Sequence, residues 1–215
     1  MKHILIYGDS LVYGKKPSKP ERFPFGHNFT EILSENLGKE FHVICEGLRA
    51  RTLGGENGFF PERNGLDQFG PIFGSHVPLH LVAIMLGTND CNAKDTKGLE
   101  DIQRILTTYK EKISMWCTSL SISHTPQLMF ISPPEIRDSE TQKDESMKKI
   151  FHPGAQQKLQ SISEAIKTFC EKENCLFFDA SRVCKAADEE GVHLDEENNQ
   201  KLGIALAEHI KGLSI

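Results

Sequence analysis

Apolar and polar positions alternate along this chain between two periods, and that alternation sets out the elements. His3–Tyr7 carries the run Ile4-Leu5-Ile6-Tyr7 and reads as a first strand. In Asn28–Leu37, Phe29, Ile32, Leu33 and Leu37 fall near helical spacing, and Gly38 stops the helix. Phe41–Cys45 is a second strand, and Leu79–Leu86 is a third whose near-continuous apolar character suits a strand covered on both faces. Leu99–Ser121 is a long amphipathic helix with Ile102, Ile105, Leu106, Tyr109, Ile113, Trp116 and Cys117 on one stripe, read as core packing. Gln127–Ile131 is a fourth strand, stopped by Pro133-Pro134. Ala155–Glu171 is a helix, Cys175–Phe178 a fifth strand, and Asp195–Lys211 a closing helix with Asp195 as its N-cap. Strands alternating with helices predict an α/β protein: a three-layer α/β/α sandwich around a flavodoxin-like, five-stranded parallel sheet. The segment Arg49–His76 stands out as a long irregular stretch rich in Gly and Phe, expected to form a wall or lid over the sheet edge.

Four short segments fall at the ends of these elements. Gly8-Asp9-Ser10-Leu11 follows the first strand, Glu46 to Thr52 the second, and Gly87-Thr88-Asn89-Asp90 the third. Glu190-Gly191-Val192-His193 precedes the closing helix. Parallel sheets of this kind place ligands at the carboxyl ends of their strands, so the first three converge on one rim, and the loop before the last helix can reach it. A hydroxyl becomes a nucleophile when a base and an anion-stabilising site converge on it. Ser10 is the expected nucleophile and His193 its general base. Glu190, three residues before His193, is expected to orient the imidazole, with Asp188, Asp195 or a backbone carbonyl as alternatives. The oxyanion donors are expected to be the backbone N–H groups of Ser10 and Ala50 and the side-chain amide of Asn89, which donates without titrating.

Size and composition add limits. A chain of 215 residues suits one domain, 1–215, with a well-buried core. A net charge of −5 gives no nucleic-acid footprint. Four consecutive apolar residues after Met1-Lys2-His3 are too few for a signal peptide or a membrane span, so a cytoplasmic protein is expected. The six cysteines lack CxxC spacing; reduced thiols are expected, with Cys45, Cys117, Cys170 and Cys175 in apolar patterns as core thiols. His27, His76, His80, His124 and His152 are scattered without metal spacing, and no metal or cofactor is expected. The first loop lacks the glycine spacing of a phosphate cradle, which argues against a nucleotide-binding domain.

With Gly8-Asp9-Ser10-Leu11, Gly87-Thr88-Asn89-Asp90 and a histidine just before the last helix, the chain resembles the SGNH, or GDSL, hydrolases. The resemblance covers nearly the whole chain in order. It is closest to the arylesterase branch with acyltransferase activity, through Glu46 to Thr52, Ile84 to Asp90, Ser132-Pro133-Pro134, Phe177 to Ala180 and Leu202 to Glu208. Two positions depart from the family pattern: Ala50 stands where a glycine is usual, although that branch also uses alanine, and Glu190 stands where an aspartate is usual. The resemblance implies a serine esterase acting on short, acetyl-type esters, transfer to water or an alcohol, and a homo-oligomer. A carbohydrate O-deacetylase, a lysophospholipase-like thioesterase and a non-catalytic binder on the same fold are the rivals. Asp9, Leu11, Arg49 and Phe59 are candidates to contact substrate, although Asp9 and Asp90 also read as loop braces and Arg51 as structural. Phe59, Phe60, Phe69 and Phe73 are candidates to line an acyl or alcohol pocket. The charged run Asp138–Lys149 reads as a solvated excursion.

Overall fold

The computed structural model describes residues 1–137, 142–151 and 153–215. Five strands form one parallel sheet in the order β2-β1-β3-β4-β5: β1 Lys2–Gly8, β2 Phe41–Gly47, β3 Leu81–Met85, β4 Gln127–Ser132 and β5 Leu176–Asp179. Because β2 and β3 flank β1 on opposite sides, the chain reverses direction across the sheet at the β1/β3 carboxyl ends. Such a reversal opens a crevice between the loops that leave in opposite directions. Ser10 and Asn89 follow these two strands.

Alternation along each strand divides the core in two. Leu5, Tyr7, Val82, Ile84, Leu128 and Phe130 point to a face covered by α3 (Gly65–His76), α4 (Leu99–Ser119) and α6 (Ala155–Glu173). Ile4, Ile6, Leu81, Ala83, Met85 and Met129 point to the other, covered by α2 (Phe29–Leu37) and α7 (Glu196–Lys211). All five residues of β3 are buried, as a central strand of a doubly covered sheet requires. The helix ends follow local chemistry. Asp195 accepts from Asn198 N–H and caps α7, and Gly38 ends α2 at φ 76°.

Four expectations need correction. The Arg49–His76 segment is not irregular throughout, because α3 occupies its second half. Gly65, Gly70, Pro71 and Gly74 weaken any helical pattern there, but they serve packing. A Cβ on Gly74 would lie 2.6 Å from the Trp116 ring and one on Gly70 2.8 Å from its indole nitrogen, so the two glycines let α3 press onto α4. Phe69 and Phe73 are core residues in stacked contact, not pocket walls. In the charged run, residues 138–141 lie outside the described residues, but Glu145–Ile150 form a short helix, α5, whose Met147 and Ile150 pack against the core. Cys45, on the edge strand β2, is exposed and not a core thiol; Cys117 and Cys170 are buried, Cys175 half-buried, and all are free. His152 lies outside the described residues. Among the described residues no helix is long and apolar enough to cross a membrane.

Candidate active site

Ser10 begins α1, a four-residue helix at Ser10–Tyr13. Asp9 caps it, its Oδ1 accepting the Leu11 N–H at 2.9 Å. Gly8 is needed for close approach: a Cβ there would sit 2.3 Å from Val12 Cγ2 and 2.7 Å from the Met85 carbonyl. The turn therefore folds tightly over the end of β1 and presents the Ser10 hydroxyl at the crevice.

His193 arrives from a compact loop before α7. Ala187 N–H donates to the His193 carbonyl at 2.8 Å and Gly191 N–H to the Ala187 carbonyl at 2.7 Å. Gly191 holds φ 73°, the left-handed region that glycine tolerates. The His193 Nε2 lies 2.9 Å from Ser10 Oγ. On the far side of the ring, Nδ1 lies 2.5 and 2.7 Å from the two carboxylate oxygens of Glu190. Glu190 Oε2 also accepts the His193 backbone N–H at 2.8 Å, so one carboxylate fixes both the ring and the chain that carries it. A carboxylate only accepts, which assigns the proton to Nδ1 and leaves Nε2 to accept from Ser10. The alternative acids are engaged elsewhere: Asp188 pairs with Arg137 at 2.9 Å, and Asp195 caps α7.

A cation, Lys15, completes the group. Its Nζ lies 3.2 Å from Glu190 Oε1 and donates to the Lys16 carbonyl at 3.0 Å. The 3.3 Å approach of Nζ to His193 Nδ1 brings two donors together and is tolerated because Glu190 accepts from both. Burial raises the Glu190 carboxyl, but the hydrogen bonds and charge of His193, with Lys15, outweigh it and hold it below the usual carboxylate value. Burial pushes the His193 imidazole below its ordinary value; the bond to Glu190 opposes this, and the charges of Lys15 and Arg49 add to it. The balance favours the neutral form of the imidazole.

Ala50 sits at φ 63°, a left-handed conformation in which a glycine would be relaxed. Its carbonyl accepts from Asn57 Nδ2 at 2.8 Å, which holds that peptide in place. Among the described residues neither the Ala50 nor the Ser10 N–H has an acceptor. Asn89 Nδ2 donates to Asp9 Oδ2 at 3.2 Å and to the Arg51 carbonyl at 3.1 Å, which brings the three loops together. Arg51 is buried, stacks on Tyr7 at 4.1 Å and donates to the Gly8 and Glu46 carbonyls, a structural role. Asp90 accepts the Leu53 N–H at 2.7 Å and pairs with Lys97 at 3.3 Å. Burial pushes the Asp9 and Asp90 carboxyls up to about 7 and about 6.

A cavity of about 300 Å³ opens over Ser10. Asn89, Ala50 and His193 line it beside Ser10, Phe60, Met147, Ile150, Phe151 and Val192 form its apolar wall, and Lys15, Arg49 and Arg63 bring charge. Of the residues expected to meet substrate, Arg49 lines the cavity. Asp9 and Leu11 are buried behind it, and Leu11 belongs to the core. Phe59 lies under Lys94, 4.3 Å from ring centre to ammonium, and its neighbour Phe60 lines the cavity instead. Lys15, Asn57, Arg63 and the α5 side chains were not legible as site residues. Gly14-Lys15-Lys16 reads as an ordinary polar turn, and no spacing marks the others. Among the described residues no group of three His, Cys, Asp or Glu side chains is placed to hold a metal ion.

Comparison with known proteins places the chain and its fold. A model of the GDSL-like lipase/acylhydrolase family matches residues 6–201. The structure superposes on the native aryl esterase of M. smegmatis with a TM-score of 0.90 and 32% identity, over 99% of this chain and 100% of that one. A carbohydrate acetylesterase from Sinorhizobium meliloti gives a TM-score of 0.90 and 27% identity, over 98% and 99%. A lipase/acylhydrolase from Enterococcus faecalis, at 17% identity and a TM-score of 0.67 over 99% and 96%, shares the fold. No curated protein sequence matches the chain. With a family model spanning most of its length and esterases of the same architecture beside it, the chain belongs to the GDSL-like lipase/acylhydrolase family and is a carboxylic ester hydrolase.

Proposed function

We propose that Ser10 attacks the carbonyl carbon of a short-chain ester while His193 Nε2 takes its proton. Glu190 keeps the imidazole in the tautomer that can accept that proton and stabilises the imidazolium that results. The tetrahedral oxyanion would be met by the Ser10 and Ala50 N–H groups, which are otherwise unclaimed, and by Asn89, whose amide must share one of its two long bonds to reach it. His193 then returns the proton to the departing alcohol. Water, activated by the same imidazole, releases the acid from the acyl-enzyme; a second alcohol in its place would give transesterification.

The observation that carries this reading is the unbroken line from Ser10 Oγ through His193 to Glu190, with gaps of 2.9 and 2.5 Å. A cavity of about 300 Å³ with one apolar wall supports a small acyl group, acetyl foremost. The test is turnover of a p-nitrophenyl ester series from acetate to octanoate by wild type and Ser10→Ala. The expected result is a kcat/KM that falls with chain length and is lost in the variant. Undiminished turnover in Ser10→Ala would reassign the nucleophile, and a preference for octanoate would reject the short-chain substrate.

A further inference from the structure

The cations of this protein are placed unevenly. Of its seven arginines, Arg104, Arg137 and Arg182 each face a carboxylate. Arg22 and Arg51 lie over tyrosine rings. Arg49 and Arg63 have neither kind of partner among the described residues, and both line the cavity over Ser10. Arg49 makes a single long bond, 3.4 Å, to the Pro20 carbonyl. Arg63 spends Nη1 on the Pro61 and Glu62 carbonyls, while its Nε is buried without a hydrogen-bond partner. The Nε–Nη2 edge is the one that grips a carboxylate or phosphate with two parallel bonds. Among the described residues no carboxylate lines the cavity, and Lys15 is already paired with Glu190. On a chain of net charge −5, the mouth of the nucleophile's cavity is a local positive field, the arrangement that concentrates and orients an anionic ligand.

We propose that the ester cleaved here carries an oxyanionic group, a carboxylate or a phosphate, held by Arg49 and Arg63 while the apolar wall takes the rest of the molecule. This names the substrate class of the Ser10 site and rests on the esterase mechanism above. The oxyanion hole does not account for the two arginines, because the developing negative charge at the carbonyl already has three nearer donors in that mechanism. Arg63 Nε is covered without a partner and Nη2 makes no bond to the described residues, so a small turn of the side chain toward the cavity would give both nitrogens to a bound oxyanion.

Matched ester pairs test this. For the alcohol side the pair is 4-acetoxybenzoate against 4-acetoxybenzamide, with 4-acetoxyphenyl phosphate for the phosphate case. For the acyl side it is 4-nitrophenyl hydrogen adipate against 4-nitrophenyl hexanoate. Each kcat/KM is divided by the ester's own hydroxide-catalysed rate. The expected result is a preference of about tenfold or more for the anionic member on at least one side, the size of a charge-assisted hydrogen bond. That preference should shrink with added NaCl and collapse toward unity in Arg49→Gln and Arg63→Gln. Arg63 also ties its loop, so Arg49→Gln, which changes an exposed side chain, decides the matter if Arg63→Gln folds poorly. Equal or better turnover of the neutral member in every pair, or a preference that persists in Arg49→Gln, would overturn the proposal. Absence of Ser10-dependent turnover of any ester would instead overturn the mechanism on which it rests.

Discussion

Glu190→Gln changes one atom and tests most of the site at once. The carboxylate accepts from three donors: the His193 backbone N–H, His193 Nδ1 and Lys15 Nζ. An amide has one accepting oxygen, so its NH2 must face a donor whichever way it turns. Placed at Oε2 it meets the backbone N–H; placed at Oε1 it meets Lys15. The ring escapes by moving its proton to Nε2, so that Nδ1 accepts from the amide, and Nε2 can then no longer accept from Ser10. In serine triads this kind of change lowers kcat by about 10⁴. Stability should fall as well, because in either orientation the Lys15 ammonium loses its counter-charge in a nearly closed site. Removing one member of a buried pair costs about 3–5 kcal/mol. At about 2–4 °C per kcal/mol for a chain of this size, the melting temperature should drop by roughly 6–20 °C. The two effects separate in Lys15→Met/Glu190→Gln, which removes the stranded charge: melting should recover and kcat should not. Glu190→Asp, a methylene shorter, keeps the charge but cannot reach both the backbone N–H and Nδ1, and should fall between. Steady-state kinetics on p-nitrophenyl acetate and a thermal melt read both effects. A Glu190→Gln enzyme within tenfold of wild type, or a double variant with restored kcat, would refute the tautomer argument.

Three further outcomes follow. Lys15→Met removes a positive charge beside the imidazole, so the His193 pKa should rise and the acid limb of kcat/KM on a neutral ester should move to higher pH; a limb that stays or moves down would show that Lys15 does not act on His193. Ala50→Gly keeps the N–H and relieves a left-handed alanine, worth about 1–2 kcal/mol, against an unfolded-state cost of about 0.4–1 kcal/mol, so activity should persist and stability should rise by no more than about 1.6 kcal/mol. Ala50→Val puts a branched side chain at φ 63° and should lose activity; equal activity in the glycine and valine variants would dissociate this peptide from catalysis. Asn89→Ala should lower kcat by about 10²–10³ with little change in KM, because the donor acts mainly on the transition state, and a change confined to KM would count against that role.

The sheet was legible because apolar runs such as Ile4–Tyr7 and Leu81–Met85 are long, and because Gly38 and Asp195 mark helix ends by their own chemistry. The meeting of Ser10, His193 and Asn89 was legible because strand ends in a parallel sheet share an edge, so sequence-distant loops could be assigned to one rim. Helix α3 was hidden: its glycines and Pro71 suit close packing on Trp116, a tertiary contact that no local pattern encodes. The same holds for Phe69 and Phe73, whose ring contacts with Tyr7 and Tyr109 place them in the core. Lys15 and Arg63 were hidden for another reason. Each lies in a polar turn, and only the fold shows that the first is covered and that the second has a buried nitrogen without a partner.

The central claim is that Ser10 is the activated nucleophile, and covalent capture tests it most directly. Intact protein treated with a fluorophosphonate and mapped by peptide mass spectrometry should carry one adduct, on Ser10, formed quickly in wild type and slowly in Glu190→Gln. An adduct on another serine, or a Ser10 that labels no faster in wild type than in His193→Ala, would contradict the account.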